Sequence, residues 1–416
     1  MISSSEALKL IESVEINPSI IEVNIQNVLN RILAQDIASP INMPPFRQSA
    51  MDGYAIRLTN SNMYEIVEES KAGDGKYIDL KEGQAVRIFT GALVPDKADT
   101  VVIQENVSRK NNIITISELP NKYDNVRPIG EQVKKGKIIL KKGFLLNPAA
   151  IGFLAGMGIK ELLVYNTPKV SIIITGNELQ ESGRQLEEGK IYESNSFMLG
   201  AALRNLGIYD FIILKTGDTF EETKNAISNA LASSDVVLVS GGISVGDYDF
   251  VQQALEENGV EQLFYKVNQK PGKPLWFGRK NDRFVFGLPG NPASVLSCFY
   301  IYVTPLLRKI SGSNDLHLKR LNGISRSYYK NTTGKTLVVV NADISNQDGI
   351  VIARVFRFGY RPRQDVFYSI HVAVWTSVTF IGNSSHAAQS RHVNINANTP
   401  HDKQLSQHVD AEKRLH

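Results

Sequence analysis

Residues 236–249, with the sequence VVLVSGGISVGDYD, decide the fold of this chain. Residues 236–239 form an apolar run rich in β-branched side chains, which predicts a strand buried on both faces of a sheet. The run ends at the pair Gly241-Gly242, and a helical pattern begins at Phe250. A glycine turn between a strand and a helix favours phosphate binding, because free N–H groups and a helix N-terminus both attract anions. The alternative is a plain strand–helix turn, since a short glycine motif is weak evidence alone.

The segment from residue 169 to 311 repeats this strand–turn–helix rhythm. Short apolar runs are each followed by a helical pattern, and the last helix begins with Asn291 as a cap and Pro292 in its first turn. Alternation of this kind predicts an α/β domain with a doubly wound parallel sheet and right-handed crossovers. We therefore expect a three-layer domain in this part of the chain.

Polar residues stand where these predicted strands end. Ligands of doubly wound sheets bind at the carboxyl ends of the strands. Those ends carry Glu178, Asp218, Asp249 and the turn Pro289-Gly290-Asn291. Carboxylate oxygens are ligands that Mg²⁺ prefers, so the three acidic residues are predicted to gather one or two Mg²⁺ ions.

Three lysines lie together in KVNQKPGKP, residues 266–274. Lys266, Lys270 and Lys273 flank proline and glycine, which hold the backbone and would place the ammonium groups near phosphates or an oxyanion. A single lysine of this kind is more often a solvated surface charge. The spacing of all three favours a shared anion site.

The front of the chain has a different character. Residues 3–13 and 20–34 are predicted as amphipathic helices, and residues 43–127 read as short alternating strands with turns, a β-rich module. Asp52 in SAMDGYA and Thr90 in RIFTGA lie in this module, and both have the alternative interpretation of simple turn residues.

Composition limits the class of protein. The 416 residues carry 46 Lys and Arg against 42 Asp and Glu, a net charge of +4 that is too small to indicate nucleic-acid binding. The single cysteine, Cys298, excludes an internal disulfide and lies in an apolar helical context that predicts burial. We expect no membrane span, because no apolar stretch approaches about 18 residues, and a cytoplasmic location, because the polar N-terminus is unlike a secretory signal.

The composition changes again after about residue 355. Residues 318–353 are compatible with a small β module, but six of the seven histidines lie between His371 and His416, with little apolar periodicity. Their spacing repeats no metal-ligand pattern, so a poorly ordered tail is favoured over a metal site. A shift of reading frame near residues 351–359 would explain the break.

Six motifs in order carry a resemblance to a known family. PPFRQSAMDGYA, RIFTGA, TGNEL, SGGISVGDYDF, KPGKP and GLPGNPAS resemble the MoeA family, the molybdopterin molybdenumtransferases, which is also similar to the C-terminal part of gephyrin. The resemblance covers roughly residues 1–312. It implies a homodimer of elongated, four-domain subunits: residues 1–42 with 128–168 as a dimerisation or linker domain, 43–127 as the β-rich domain, 169–311 as the molybdopterin-binding domain, and 312–416 as a C-terminal β module. The family's last module contains a G-S-H-type turn and a final apolar strand, neither of which follows residue 352 here.

The resemblance also implies an activity. Such an enzyme takes adenylylated molybdopterin, inserts molybdenum from molybdate and releases AMP with Mg²⁺. A molybdopterin adenylyltransferase and molybdenum enzymes would be its pathway partners, and neither nucleic acid nor a membrane is expected. The positions matching the family's functional residues, with two close neighbours, are Asp52, Thr90, Glu178, Asp218, Asp249, Lys266 and Lys270, with Ser244 and Lys273.

Two other functions remain open from the sequence. A molybdopterin adenylyltransferase shares the SGG turn but is usually one small domain, and the front modules argue against it. A non-enzymatic scaffold resembling gephyrin is the other, and the presence of every acidic and lysine position argues against it. A hydrolytic triad is not expected, because the β/α region offers no Cys–His or Ser–His pair.

Overall fold

The computed structural model describes residues 1–243 and 250–318, and beyond them the backbone of the strand segments 321–325, 336–337, 341–347, 350–356, 376–379 and 392–397. The predicted site residues Ser244 and Asp249 lie outside the described residues. So do five of the six C-terminal histidines, His392 being the exception.

The elements follow in chain order. The helices in the described residues are α1 Ser4–Ser13, α2 Pro148–Gly156, α3 Asn195–Asn205, α4 Phe220–Ser233, α5 Val251–Glu257, α6 Pro292–Cys298 and α7 Thr304–Ile310. The strands up to residue 165 are β1 Ile20–Asn24, β2 Ile37–Ala38, β3 Gln48–Ser49, β4 Gly53–Ile56, β5 Met63–Ser70, β6 Gln84–Ile88, β7 Thr100–Ile103, β8 Val107–Lys110, β9 Ile113–Ile116, β10 Val126–Arg127, β11 Ile138–Leu140 and β12 Glu161–Tyr165. The later strands are β13 Val170–Thr175, β14 Leu179–Gln180, β15 Ile191–Tyr192, β16 Phe211–Thr216, β17 Val236–Ser240, β18 Glu261–Tyr265, β19 Gln269–Lys270, β20 Trp276–Lys280, β21 Arg283–Leu288, β22 Leu321–Ser325, β23 Thr336–Leu337, β24 Asn341–Gln347, β25 Ile350–Phe356, β26 Thr376–Thr379 and β27 His392–Ala397.

The chain divides into two compact units. One, the α/β unit, holds Met1–Ile21, Asn30–Ile32 and the described residues from Tyr165 onward. The other, the β-rich unit, holds Glu22–Leu29 and Leu33–Val164. The N-terminal helix α1 therefore belongs to the α/β unit, whereas the sequence grouped it with the linker residues 128–168.

A six-stranded sheet forms the centre of the α/β unit, in the order β16-β13-β17-β21-β20-β18. The first four strands are parallel, as predicted. β20 runs antiparallel to both of its neighbours, so the sheet is mixed and the expectation of a wholly parallel sheet was wrong at this strand. The physical reason is the connection: Asn281 and Asp282 alone separate β20 from β21, and so short a link can only make a hairpin. Asn281 takes a left-handed φ of 54° in that turn.

Helices cover both faces of this sheet. Val236 and Leu238 of β17 pack into one core with residues of α1, α3 and α6, and Val237 and Val239 pack into a second core with residues of α4 and α5. All four valine and leucine side chains are fully buried. The continuous apolar run of β17 is thus explained by burial on two faces, and the predicted three-layer arrangement is confirmed.

The β-rich unit contains a second six-stranded sheet, in the order β7-β4-β6-β5-β9-β8. In β4 the side chains alternate: Ala55 packs into one cluster, while Tyr54 and Ile56 pack into another. This confirms the predicted strand-rich character. The helix predicted over residues 20–34 was wrong, because IIEVN is instead the strand β1 and a short 3-10 helix, Ile25–Asn27, follows it. Two adjacent isoleucines and a valine favour strand over helix.

The described segments after residue 318 contain a five-stranded sheet, in the order β24-β25-β22-β27-β26. β26 and β27 lie after residue 355, in the stretch where the sequence shows little periodicity, and β27 pairs antiparallel with β22. Within the described part of the chain, we find no helix that has the length and apolar character needed to cross a membrane.

Candidate active site

The carboxyl ends of the parallel strands meet at one edge of the α/β sheet. Thr175 pairs with Thr216 across β13 and β16, and Ser240 pairs with Leu288 across β17 and β21. The residues that follow these strand ends therefore lie along the same edge. They are the predicted site residues Glu178, Asp218, Gly241, Gly242, Pro289, Gly290 and Asn291.

The glycine turn after β17 packs closely against the end of β13. Gly241 and Gly242 have φ values of 98° and 60°, which disfavour any other residue. A Cβ on Gly241 would come 2.6 Å from Oγ1 of Thr175, and one on Gly242 would come 2.9 Å from Cγ2 of Val251. The N–H of Gly241 donates to the carbonyl of Leu288 at 3.3 Å, and the phosphate contact expected of this turn stays a prediction. The glycine at 241 is required by packing and backbone conformation.

Asn195, at the start of α3, joins two of these turns, and the sequence did not single it out. Its Nδ2 donates to Oγ of Ser240 at 3.0 Å and to the carbonyl of Gly290 at 2.8 Å. Its Oδ1 is buried and has no hydrogen-bond partner within the described residues, as is true of Oγ1 of Thr175. Nothing in the local sequence distinguishes this asparagine from an ordinary helix-start residue, because its partners come from distant strands.

Asp218 connects the ends of β13 and β16. Its Oδ2 accepts a hydrogen bond from the backbone N–H of Asn177 at 2.8 Å, and its own N–H donates to Oδ1 of Asn177 at 3.4 Å. Glu178 follows Asn177 in the chain and is exposed. The predicted meeting of these two strand ends is therefore present, through Asn177.

The predicted metal site has two acidic residues in the described part of the chain. Glu178 and Asp218 offer carboxylate oxygens on adjacent loops, and Mg²⁺ is commonly held by one or two carboxylates together with phosphates of the substrate. No cluster of three or more His, Cys, Asp or Glu suited to a metal occurs among the residues that the structure describes. The third predicted ligand, Asp249, is outside them. The donor set present fits Mg²⁺ held jointly with a substrate.

Lys266 follows the last residue of β18 and stands at the same edge of the sheet, because Tyr265 pairs with Trp276 and Trp276 pairs with Gly287. Its φ is 65°, a left-handed value that costs a non-glycine residue energy and is often found at functional sites. Its ammonium lies 4.5 Å from the centre of the Tyr265 ring. The hydroxyl of Tyr265 donates to the carbonyl of Ile243 at 2.8 Å, which connects this strand to the glycine turn.

Hydrogen bonds of buried side chains hold the loop that carries Lys270 and Lys273. Nε2 of Gln269 donates to the carbonyl of Gly272 at 2.9 Å, and the hydroxyl of Tyr302 donates to Oε1 of Gln269. Burial raises the pKa of the Cys298 thiol, beside this loop, to about 12, and the predicted buried, inert cysteine is confirmed. Lys270 and Lys273 themselves are both exposed.

Asn291 serves as the cap of α6. Its Oδ1 accepts from the N–H groups of Ala293 and Ser294 at 3.1 and 3.4 Å, as the sequence predicted. The adjacent Gly290 is exposed, and a Cβ there would meet nothing within 4 Å, while Pro289 is buried. The cap uses the side chain of Asn291, and Gly290 is the open position of this turn.

Asp52 and Thr90 form a pair in the β-rich unit. Oδ1 of Asp52 accepts from the N–H of Thr90 at 2.7 Å and from the Thr90 hydroxyl at 2.6 Å. These bonds lower the pKa of Asp52, and the positive charge of Arg87 adds to the lowering. A carboxylate held ionised by two donors is suited to orient a substrate group. The two turn residues are therefore bonded to each other, and a functional role for the pair stays a prediction.

Comparisons with known proteins agree with these motifs. The chain matches the model for the MoeA N-terminal region (domain I and II) over residues 2–158 and the model for a probable molybdopterin binding domain over residues 171–309. It is 41% identical over 297 residues to a molybdopterin molybdenumtransferase of Haemophilus influenzae, covering 70% of this chain and 73% of that protein. A molybdopterin molybdenumtransferase of Staphylococcus epidermidis is 33% identical over 320 residues, covering 75% and 76%.

A solved structure is similar over nearly the whole chain. It is a molybdopterin biosynthesis MoeA protein from Pyrococcus horikoshii, with a TM-score of 0.75 and 30% identity, covering 95% of this chain and 99% of that one.

Proposed function

The chain belongs to the MoeA family of molybdopterin molybdenumtransferases, and on this premise we propose that it inserts molybdenum from molybdate into adenylylated molybdopterin and releases AMP. The reaction is a late step of molybdenum cofactor biosynthesis. The proposal includes a requirement for Mg²⁺, a homodimeric assembly and a cytoplasmic location. A molybdopterin adenylyltransferase would supply the substrate, and molybdenum enzymes would receive the product.

One observation carries the proposal. Glu178, Asp218 and the glycine and Pro-Gly-Asn turns lie along one edge of the α/β sheet, with Lys266 at the end of a further strand. This edge is where ligands of doubly wound sheets bind. It combines acidic and basic groups, which a substrate with phosphates and a molybdate oxyanion requires.

Each group has a role in this proposal. Lys266, Lys270 and Lys273 would offset the charge of the phosphates and of the incoming molybdate, because an ammonium stabilises an oxyanion. The turns at Gly241-Gly242 and Pro289-Gly290-Asn291 would hold the pterin-bearing part of the substrate, with Ser244 beside them. Asp52, kept ionised by Thr90, would orient the substrate.

The metal would be held by carboxylates of the chain. Glu178 and Asp218 would bind Mg²⁺, with Asp249 as a third ligand. When bound, Mg²⁺ supplies positive charge that stabilises the phosphates during cleavage. The side chains themselves only position it, and Asp218 is already fixed by the N–H of Asn177 at 2.8 Å.

The predicted domain limits are part of the same proposal. Residues 1–42 with 128–168, 43–127, 169–311 and 312–416 would form four domains. The two family models, over residues 2–158 and 171–309, support a division between residues 158 and 171. The inner limits remain predictions.

The test is an insertion assay with purified protein. Adenylylated molybdopterin, molybdate and Mg²⁺ should give AMP and should activate an apo-molybdenum enzyme, and chelation of Mg²⁺ should stop both. Substitution Asp249→Asn should lower turnover by about a hundredfold or more with little change in thermal unfolding, if the carboxylate acts in the reacting complex.

A second assay separates the alternatives. Molybdopterin with ATP should give no adenylylated product; formation of that product would instead identify an adenylyltransferase. Intact dimers without any insertion would identify a scaffold and would refute the proposal.

A further inference from the structure

Arg87 lies beside the Asp52–Thr90 pair, and neither the sequence motifs nor the comparisons assign it a role. It is in β6, two residues before the turn that contains Thr90. Its guanidinium stands over two aromatic rings, 5.2 Å from the centre of Tyr54 and 4.6 Å from the centre of Phe89. Contact with two rings restricts the side chain to one place, since a guanidinium stacks on aromatic faces.

The two ends of the guanidinium bind the carbonyl of the residue after Asp52 and the side chain of Gln104. Nη1 donates to the carbonyl of Gly53 at 2.9 Å, and Nη2 donates to Oε1 of Gln104 at 2.7 Å. The backbone N–H of Gln104 in turn donates to the carbonyl of Asp52 at 3.1 Å. Arg87 therefore fixes the carbonyl of Gly53 directly and the carbonyl of Asp52 through Gln104, so it holds the two successive peptide groups that follow the Asp52 Cα atom.

We propose that Arg87 is a positioning residue that keeps the Asp52 carboxylate in place against Thr90 by holding the backbone that follows Asp52. The fork of the guanidinium is essential, because two donors at fixed spacing reach Gly53 and Gln104 together. A lysine has the charge but not the fork. The role in turnover rests on the proposed function; the role in holding Asp52 rests on the geometry alone.

The charged groups around this arrangement are few. Glu105 accepts from Nε2 of Gln104 at 3.2 Å and so lies on the far side of the bridging glutamine. Thr90 gives the largest contribution to the lowered pKa of Asp52, and the charge of Arg87 gives a smaller one. If Arg87 acted by its charge alone, a lysine at position 87 would leave the pKa of Asp52 unchanged. If Arg87 positions Asp52, loss of the forked guanidinium also weakens the hydrogen bonds from Thr90, and the pKa rises.

The first experiment measures the pKa of Asp52 and does not depend on turnover. The carboxyl carbon of Asp52 is titrated by NMR in the whole protein, in the wild type and in Arg87→Lys and Arg87→Gln. We expect the pKa of Asp52 to rise in both variants. An unchanged pKa of Asp52 in Arg87→Lys would overturn the positioning role.

Arg47→Gln is the matched control, because Arg47 also donates to two backbone carbonyls in this unit, those of Pro95 and Ala98. Arg47→Gln should leave the pKa of Asp52 unchanged, although it should lower the free energy of unfolding by an amount similar to the Arg87 variants.

The second experiment reads turnover in a double-mutant cycle. Arg87→Lys should lower kcat/KM for insertion by about tenfold, since a small misplacement of a reacting group has effects of this size or larger. In an Asp52→Asn background the same change should have no further effect, because the group it positions is already lost. Equal losses in both backgrounds would refute action through Asp52. Absence of insertion in the wild type would refute the proposed function, while the NMR titration would still decide the role of Arg87.

Discussion

The β-rich unit and the α/β unit hold their predicted acidic site residues in different ways. In the β-rich unit, one oxygen of Asp52 accepts two donors from Thr90, at 2.7 and 2.6 Å. At the edge of the α/β sheet, Asp218 accepts one backbone N–H at 2.8 Å, and Glu178 is exposed. The first carboxylate is fixed before any ligand arrives, whereas the second pair retains oxygens for one. The difference suits a group that acts on a substrate in one case and groups that bind a cation and phosphates in the other.

The backbone around Asp52 is the most sensitive part of this comparison. In Gly53→Ala, the added Cβ would come 1.9 Å from the carbonyl oxygen of Val102, so strands β4 and β7 would have to separate. We expect a loss of about 3 kcal/mol or more in the free energy of unfolding, at the upper end for overpacking. Thermal unfolding measures it. Gly152→Ala, in α2 of the same unit with nothing within 4 Å, is the control and should be neutral or slightly stabilising. A Gly53→Ala protein as stable as the control would contradict the packing argument.

The two carboxylates should differ in what their removal changes. Asp52→Asn and Asp218→Asn should each lower turnover by about a hundredfold. Only Asp218→Asn should raise the Mg²⁺ concentration needed for half-maximal rate, because Asp52 is assigned no contact with the metal. Rates over a Mg²⁺ series measure this. An equal Mg²⁺ shift in both variants would remove the distinction between the two regions.

Asn195 tests how far the sheet edge depends on side chains. Asn195→Ala removes the donor that joins Ser240 to Gly290, and leaves a carbonyl without its partner. We expect a loss of about 1–2 kcal/mol in stability, and a rise of about tenfold in KM for adenylylated molybdopterin. The matched control is Asn258→Ala, since Nδ2 of Asn258 also bridges two carbonyls, those of Lys224 and Ala254. Asn258→Ala should lower the free energy of unfolding by a similar amount and leave KM unchanged. A raised KM in Asn258→Ala would show that KM rises with any loss of stability, and not through the sheet edge.

Thr90 gives the smallest expected change, a shift in pH dependence. Thr90→Ala removes the hydroxyl donor, the largest cause of the lowered pKa of Asp52, so this pKa should rise. In the proposed role Asp52 acts when ionised, so activity should be lost as the pH falls through its pKa. A raised pKa therefore moves the acid limb of the rate profile to higher pH. Thr90→Ser, which keeps the hydroxyl, should not move it, and an unshifted limb in Thr90→Ala would be evidence against Asp52 as the titrating group.

Much of this fold was predictable because local patterns matched it. The apolar run of β17, the helical pattern of residues 3–13, the Asn291 cap of α6 and the glycine turn each gave the right element. β20 was not predicted as antiparallel, because the direction of a strand depends on the length of its connection, and the Asn281-Asp282 turn was not recognised. The helix expected over residues 20–34 failed because apolar spacing alone did not separate helix from strand in IIEVN.

The sequence alone determined that the residues following the parallel strands lie at one edge of the sheet. Parallel strands bring their carboxyl ends to one edge, so residues that follow the strands converge whatever their distance along the chain. Only the tertiary structure decided the roles of Asn195, which joins two turns, and of Arg87, which holds the backbone beside Asp52. Their partners are far away in sequence or are backbone groups, and backbone groups are the same in every residue. A pattern of side chains therefore cannot show such contacts; the folded chain must first bring them together.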